Sequence, residues 1–160
     1  MRRTVPAFLA AAVIGAVLFM FSNVPVRAND GSGGCDFITG GGFVFTNTLS
    51  KANFGIHGGC KHESFWGHLN YVDHGGFNGT TPYHVQSTEI TGYFIEALNA
   101  RTICGIARTN AGETDLRFRV RIQDNEELGL PDLFEVQLSN GYIITTRPLT
   151  GGNVQLHKAH

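Results

Sequence analysis

From Leu116 to Gln123 the chain alternates without a break. Leu116, Phe118, Val120 and Ile122 fall on one side, and Arg117, Arg119, Arg121 and Gln123 on the other. Successive side chains of a strand leave opposite faces, so this segment fits a half-buried β-strand with one apolar and one wet face. Leu133–Ser139 repeats the pattern with Phe134, Val136 and Leu138. An antiparallel pairing that sets Phe118 against Leu138, Val120 against Val136 and Ile122 against Phe134 also sets Arg121 against Glu135. Apolar meets apolar and plus meets minus, so the register is self-consistent. Asn140-Gly141 is the best two-residue hairpin signal in the chain. It turns Leu133–Ser139 into Tyr142–Thr146 and sets Ile143 beside Leu138. Gly151-Gly152 then allow a last reversal into Val154–His157, which makes these segments a meander.

The rest of the chain follows the same rule. Phe37–Phe45 and Ala52–Ile56 form a hairpin around residues 47–50, and Phe65–Val72, Thr88–Ile95 and Ile103–Ala107 supply further strands. No segment carries a helical period of useful length. The fold class expected is all-β: a single antiparallel β-sandwich or flattened barrel of about nine strands, over residues 35–158.

The first 28 residues are an export signal. Arg2 and Arg3 form a basic start, Ala7–Phe21 is uncharged and apolar, and Val26 and Ala28 are the small residues a signal peptidase needs. The apolar run is shorter than the roughly 20 residues of a spanning helix. The reading is cleavage after Ala28, no membrane span afterwards, and a secreted or cell-envelope protein. Residues 29–34 form a flexible leader. The whole chain has a formal charge of -1. Losing Arg2, Arg3 and Arg27 leaves 9 basic against 13 acidic residues, a charge of -4. That balance gives no reason to expect a nucleic acid partner.

Three cysteines fall after the signal; an exported chain can keep a disulfide, and the odd thiol is left over or pairs between chains. The register of the first hairpin brings Cys35 beside position 60 or 61. The expected bridge is therefore Cys35–Cys60, with Cys104 as a buried free thiol.

Candidate sites are few. Asp124 and Asp132 face each other at the mouth of the hairpin, and like charges directly opposite destabilise a sheet. Calcium held by Asp124, Glu126 and Asp132 relieves this, and an exported domain meets ample calcium; the simpler reading is that each Asp caps a turn. No other cofactor is expected. A transition-metal site from His68, Asp73 and His74, closed by a fold at Gly75-Gly76, is the alternative that makes the chain a small metal-dependent enzyme. Its counterpart is solvated or structural histidine. Trp66 shares a face with His68 and Asn70, so it is a candidate platform for a sugar ring, set against a lone Trp in the core. Arg117 and Arg119, with Arg121, make a row suited to an acidic glycan or envelope component, set against an ordinary solvated face. G-x-S-x-G, H-E-x-x-H and Walker-type phosphate loops are absent from the sequence. The expectation is a non-enzymatic binding or structural module.

Several segments together resemble a known family. They are residues 34–43 (Gly-Cys-Asp-Phe-Ile-Thr-Gly-Gly-Gly-Phe), 51–57 (Lys-Ala-Asn-Phe-Gly-Ile-His) and 65–74 (Phe-Trp-Gly-His-Leu-Asn-Tyr-Val-Asp-His). Residues 120–125, 132–134, 138–142 and the closing 151–158 (Gly-Gly-Asn-Val-Gln-Leu-His-Lys) continue the likeness. The sequence resembles the post-COAP family, domains that follow choice-of-anchor modules in bacterial exported and surface proteins. The resemblance implies export, an all-β domain and no established activity, and it supplies no catalytic residues.

Overall fold

Apolar residues at alternate positions give nine strands in chain order. They are β1 (Phe37–Phe45), β2 (Lys51–Lys61), β3 (Ser64–Asp73), β4 (Tyr83–Ala97), β5 (Ala100–Thr109), β6 (Leu116–Gln123), β7 (Leu133–Leu138), β8 (Ile143–Pro148) and β9 (Gly151–His157). The computed structural model describes residues 35–61, 64–125 and 128–158. The expected signal at 1–28 and the expected leader at 29–34 lie outside the described residues.

All nine strands belong to one antiparallel sheet, in the order β8-β7-β6-β5-β4-β3-β2-β1-β9. The two edge strands, β8 and β9, are consecutive in the chain and separated only by Leu149 and Thr150. A sheet whose edges are joined by two residues has to curl until those edges come together. The architecture is therefore a curled sheet, a half-barrel, rather than two stacked layers. Phe54 of β2 and Phe134 of β7 stack with ring centroids 4.0 Å apart, although four strands separate β2 from β7 along the sheet.

The register of β6 and β7 is the expected one, including Arg121 opposite Glu135. Two expectations are corrected at the C-terminal end. Ile143 pairs with Gln137, not Leu138. Leu138 exchanges hydrogen bonds with Tyr142 and Gly141, and Gly141 sits at φ +92°, so the loop holds three residues, Ser139 to Gly141. The second correction concerns β9, which does not turn back onto β8 but runs on in the same sense and pairs with β1, from Phe37↔His157 to Phe43↔Gly151. Gly40 and Gly42 make room for this. A Cβ on Gly40 would strike Val154, and one on Gly42 would strike the Gly151 carbonyl.

The inward face collects Ile38, Phe54, Ile56, Leu69, Val85, Ile103, Phe118, Val120, Ile122, Phe134, Val136, Ile144 and Val154, all buried. Cys35 and Cys60 form the expected disulfide, Cα atoms 5.4 Å apart, tying the start of β1 to the end of β2. Cys104 is free but only half-buried, a correction. It alternates with the inward Ile103 on β5 and so lies on the outer side, where burial still pushes its thiol pKa up.

Polar clusters fill both ends of the curl. At the end where β1 begins, Arg101 points inward and is buried, ion-paired with Asp36, while its Nη1 donates to the carbonyls of Ala97 and Ala100 at 2.7 Å each. Tyr93 donates to Asp36 at 2.7 Å. Burial works to raise the Asp36 pKa, but the hydrogen bonds and charge of Arg101, with the Tyr93 hydroxyl, outweigh it and hold the carboxyl below its usual range. At the other end Tyr142 donates to buried Asp73 at 2.7 Å and meets the Tyr71 hydroxyl at 2.5 Å. Asp73 also accepts from the Ser50 hydroxyl and the Gly75 amide.

Candidate binding face

The outward residues of β9, β1, β2 and β3 follow from the register. One row across the strands is His157, Phe37, Gly59 and Trp66. The next is Gln155, Thr39, His57 and His68. A third is Asn153, Gly41, Gly55 and Asn70, continuing to Gln86 on β4. The first row is aromatic apart from Gly59. Because Gly59 has no side chain, Phe37 and Trp66 close over it to 5.7 Å between ring centroids. His157 stacks on the other side of Phe37 at 4.4 Å, with its Nε2 2.9 Å from the Thr39 hydroxyl. His57 lies 6.0 Å from Trp66 and 6.2 Å from His68. Trp66 keeps 39% of its surface exposed, so it is not the core tryptophan of the simpler reading.

The third row has bare glycines at its centre. A side chain on Gly55 would meet nothing within 4 Å. An aromatic ridge, a glycine floor and the amides of Asn153, Gln155, Asn70 and Gln86 thus share one outer surface. Such a surface stacks on apolar ring faces and hydrogen-bonds to hydroxyl groups at their edges.

The arginine row is engaged by carboxylates. Arg119 reaches Glu96 at 2.9 Å and Glu135 at 3.0 Å, and Arg121 reaches Glu96 at 3.4 Å. Thr102 and Thr146 donate to the same two glutamates at 2.6 Å each. Burial opposes ionisation of Glu96, but Thr102 and the arginines prevail and lower its pKa. Arg117 is exposed. This half of the outer surface is a lattice of fixed ion pairs.

His68, Asp73 and His74 do not converge. Asp73 points inward to Ser50, Gly75 and Tyr142. His68 faces outward and bonds Ser87 through Nδ1 at 3.1 Å, while His74 bonds Asn53 at 3.0 Å. Among the described residues no three His, Cys, Asp or Glu side chains gather around one point fit for an ion.

Asp124 and Asp132 stand at the seam where the sheet edges meet. Asp132 accepts the amides of Asn125 and Val154 at 2.8 Å each, and Asp124 accepts the amide of Leu156 at 2.8 Å. Three amide donors thus compensate the like-charge opposition that motivates calcium here. Glu126 lies outside the described residues. The sequence reading missed Phe37, His57 and His157 as parts of the face. The β1–β2 register carries a signal for His57, since it places that residue beside Thr39, but His157 joins only through the unexpected β1–β9 pairing.

The chain matches no family model, no curated protein and no solved structure.

Proposed function

We propose that this protein is an exported, non-enzymatic β module of the post-COAP type, which binds sugar rings on the outer face of β9, β1, β2 and β3. The observation that carries this reading is the pairing of Phe37 with half-open Trp66 across Gly59, beside a strip of glycines edged with amides. Aromatic faces stack on the C–H face of a sugar, and amides satisfy its hydroxyls. Export is supported by the charge pattern of residues 1–28, and the resemblance to post-COAP domains agrees with it. The binding reading is preferred to a metal-dependent enzyme because His68 and Asp73 lie on opposite faces of β3. It is preferred to an acidic-glycan site at Arg117 and Arg119 because Arg119 is held by two glutamates.

A glycan-array screen of the purified protein tests the reading. The expected result is binding to a restricted set of glycans that Trp66→Ala and Phe37→Ala both abolish, with unchanged circular dichroism. Glycan binding that survives both changes, or no binding across the array, rejects it.

A further inference from the structure

We propose that His57 and His68 form a two-imidazole site for a borderline divalent transition ion such as zinc, nickel or copper(II). The two residues are directly opposed across β2 and β3. Directly opposed residues of an antiparallel pair have Cβ atoms about 5 Å apart. Both side chains leave the outer face, where His57 is exposed and His68 half-buried. Their ring centroids are 6.2 Å apart, with planes inclined at 36°. A ligated ion sits about 2 Å from each imidazole nitrogen, so two rings sharing it have centroids roughly 5 to 6 Å apart. A small rotation of His57, the more open of the two, brings the pair to that spacing.

The second observation is the support behind His68. Its Nδ1 is 3.1 Å from the hydroxyl of buried Ser87, which itself accepts the Leu69 amide at 2.8 Å. The tautomer that donates Nδ1–H to Ser87 leaves the lone pair on Nε2, the nitrogen at the free edge of the ring. A second partner that fixes tautomer and orientation is what metal-binding histidines have. Imidazole nitrogen selects zinc, copper and nickel over calcium and magnesium. Among the described residues no third ligating side chain joins the pair. Water or a donor from an incoming molecule fills the remaining positions.

Trp66 is the only tryptophan in the chain, and its ring is 6.0 Å from that of His57. Copper(II) and nickel(II) quench nearby indole emission and zinc does not. The purified protein is titrated with copper(II) chloride while tryptophan emission is followed. Saturable quenching is expected, with emission restored by excess EDTA, which strips the copper. His57→Ala and His68→Ala each remove saturation over the range in which the unaltered protein saturates. His84→Ala, on β4 beyond the pair, leaves the curve unchanged. Quenching that persists in both His57→Ala and His68→Ala, or absence of saturable quenching, would overturn the site. The readout does not depend on glycan binding, so this inference and the proposed function fail separately.

Discussion

Asp132 holds Val154 across the seam of the sheet: its Oδ2 accepts the Val154 amide at 2.8 Å, and its Oδ1 accepts the Asn125 amide at the same distance. β9 is an edge strand, and its outward amides would otherwise lack partners within the curl. A carboxylate in the loop before β7 thus takes the place of a neighbouring strand.

The first prediction follows from that bond. Asp132→Ala leaves two buried amides unpaired, and each costs about 1–3 kcal/mol. Urea unfolding should show a loss of about 2–6 kcal/mol. Asp132→Asn keeps one accepting oxygen and should lose about half as much. The calcium reading is tested on the unaltered chain and Asp124→Asn: a calcium-dependent rise in Tm that Asp124→Asn removes would assign an ion to this loop. A stability unchanged by Asp132→Ala would refute the role of the seam carboxylate.

How far the fold was legible depends on where each partner lies. The β6–β7 register was readable because both strands alternate strictly and their apolar and charged positions agree in only one pairing. The Cys35–Cys60 bridge was readable for a similar local reason, the β1–β2 hairpin. The place of β9 was not, because it depends on closure of the curl and on glycines of β1 more than a hundred residues earlier. Arg101 was equally hidden. A charged residue at an inward position makes sense only with Asp36, which reaches it from the far side of the sheet. On the binding face, the Trp66 side of the ridge was visible in the alternation of β3. The His157 side was invisible until β9 was placed.

The disulfide gives the second prediction. The bridge spans a sequence separation of 25. By the chain-entropy model a loop of that length stabilises the fold by about 3.5 kcal/mol. The Cys35→Ser/Cys60→Ser double variant should therefore lose about 3.5 kcal/mol in a denaturant melt. Reduction of the unaltered protein should lower Tm in the same direction. Thiol titration of the unfolded, unreduced protein should count one group, and none in Cys104→Ser. Two or more reactive thiols in the unreduced protein would contradict the pairing.

The tyrosines give the third. All four, Tyr71, Tyr83, Tyr93 and Tyr142, are buried and hydrogen-bonded. Burial is the leading cause that raises each phenol, and Tyr83 is pushed up to about 12. A group whose folded pKa lies above its unfolded value contributes stability that is lost as pH rises past the unfolded value, near 10 for a phenol. Phenolate absorbance at about pH 11 should therefore stay low while the protein is folded and jump when denaturant is added. Stability should fall above about pH 10. A smooth titration of all four groups near that pH, with the fold intact, would count against these burials.

Asp36 and Arg101 give the last prediction, and its sign is opposite. The Asp36 carboxyl is held below its ordinary value of 3.8. A group with a depressed folded pKa contributes stability that is fully present above the unfolded value and is lost as pH falls through the folded one. Acid unfolding of the native chain should therefore include a component below about pH 4 that is missing in Asp36→Asn. At neutral pH, removing one partner strands the other: Arg101 is 4% exposed and would keep a buried charge without its counter-ion. Asp36→Ala should cost about 3–5 kcal/mol, as should a change that strands Asp36. The paired change Asp36→Leu/Arg101→Met replaces both charges with apolar volume and should recover much of that loss. If the double variant is as unstable as the sum of the two single changes, the two groups are not coupled and this end of the curl is held together by other contacts.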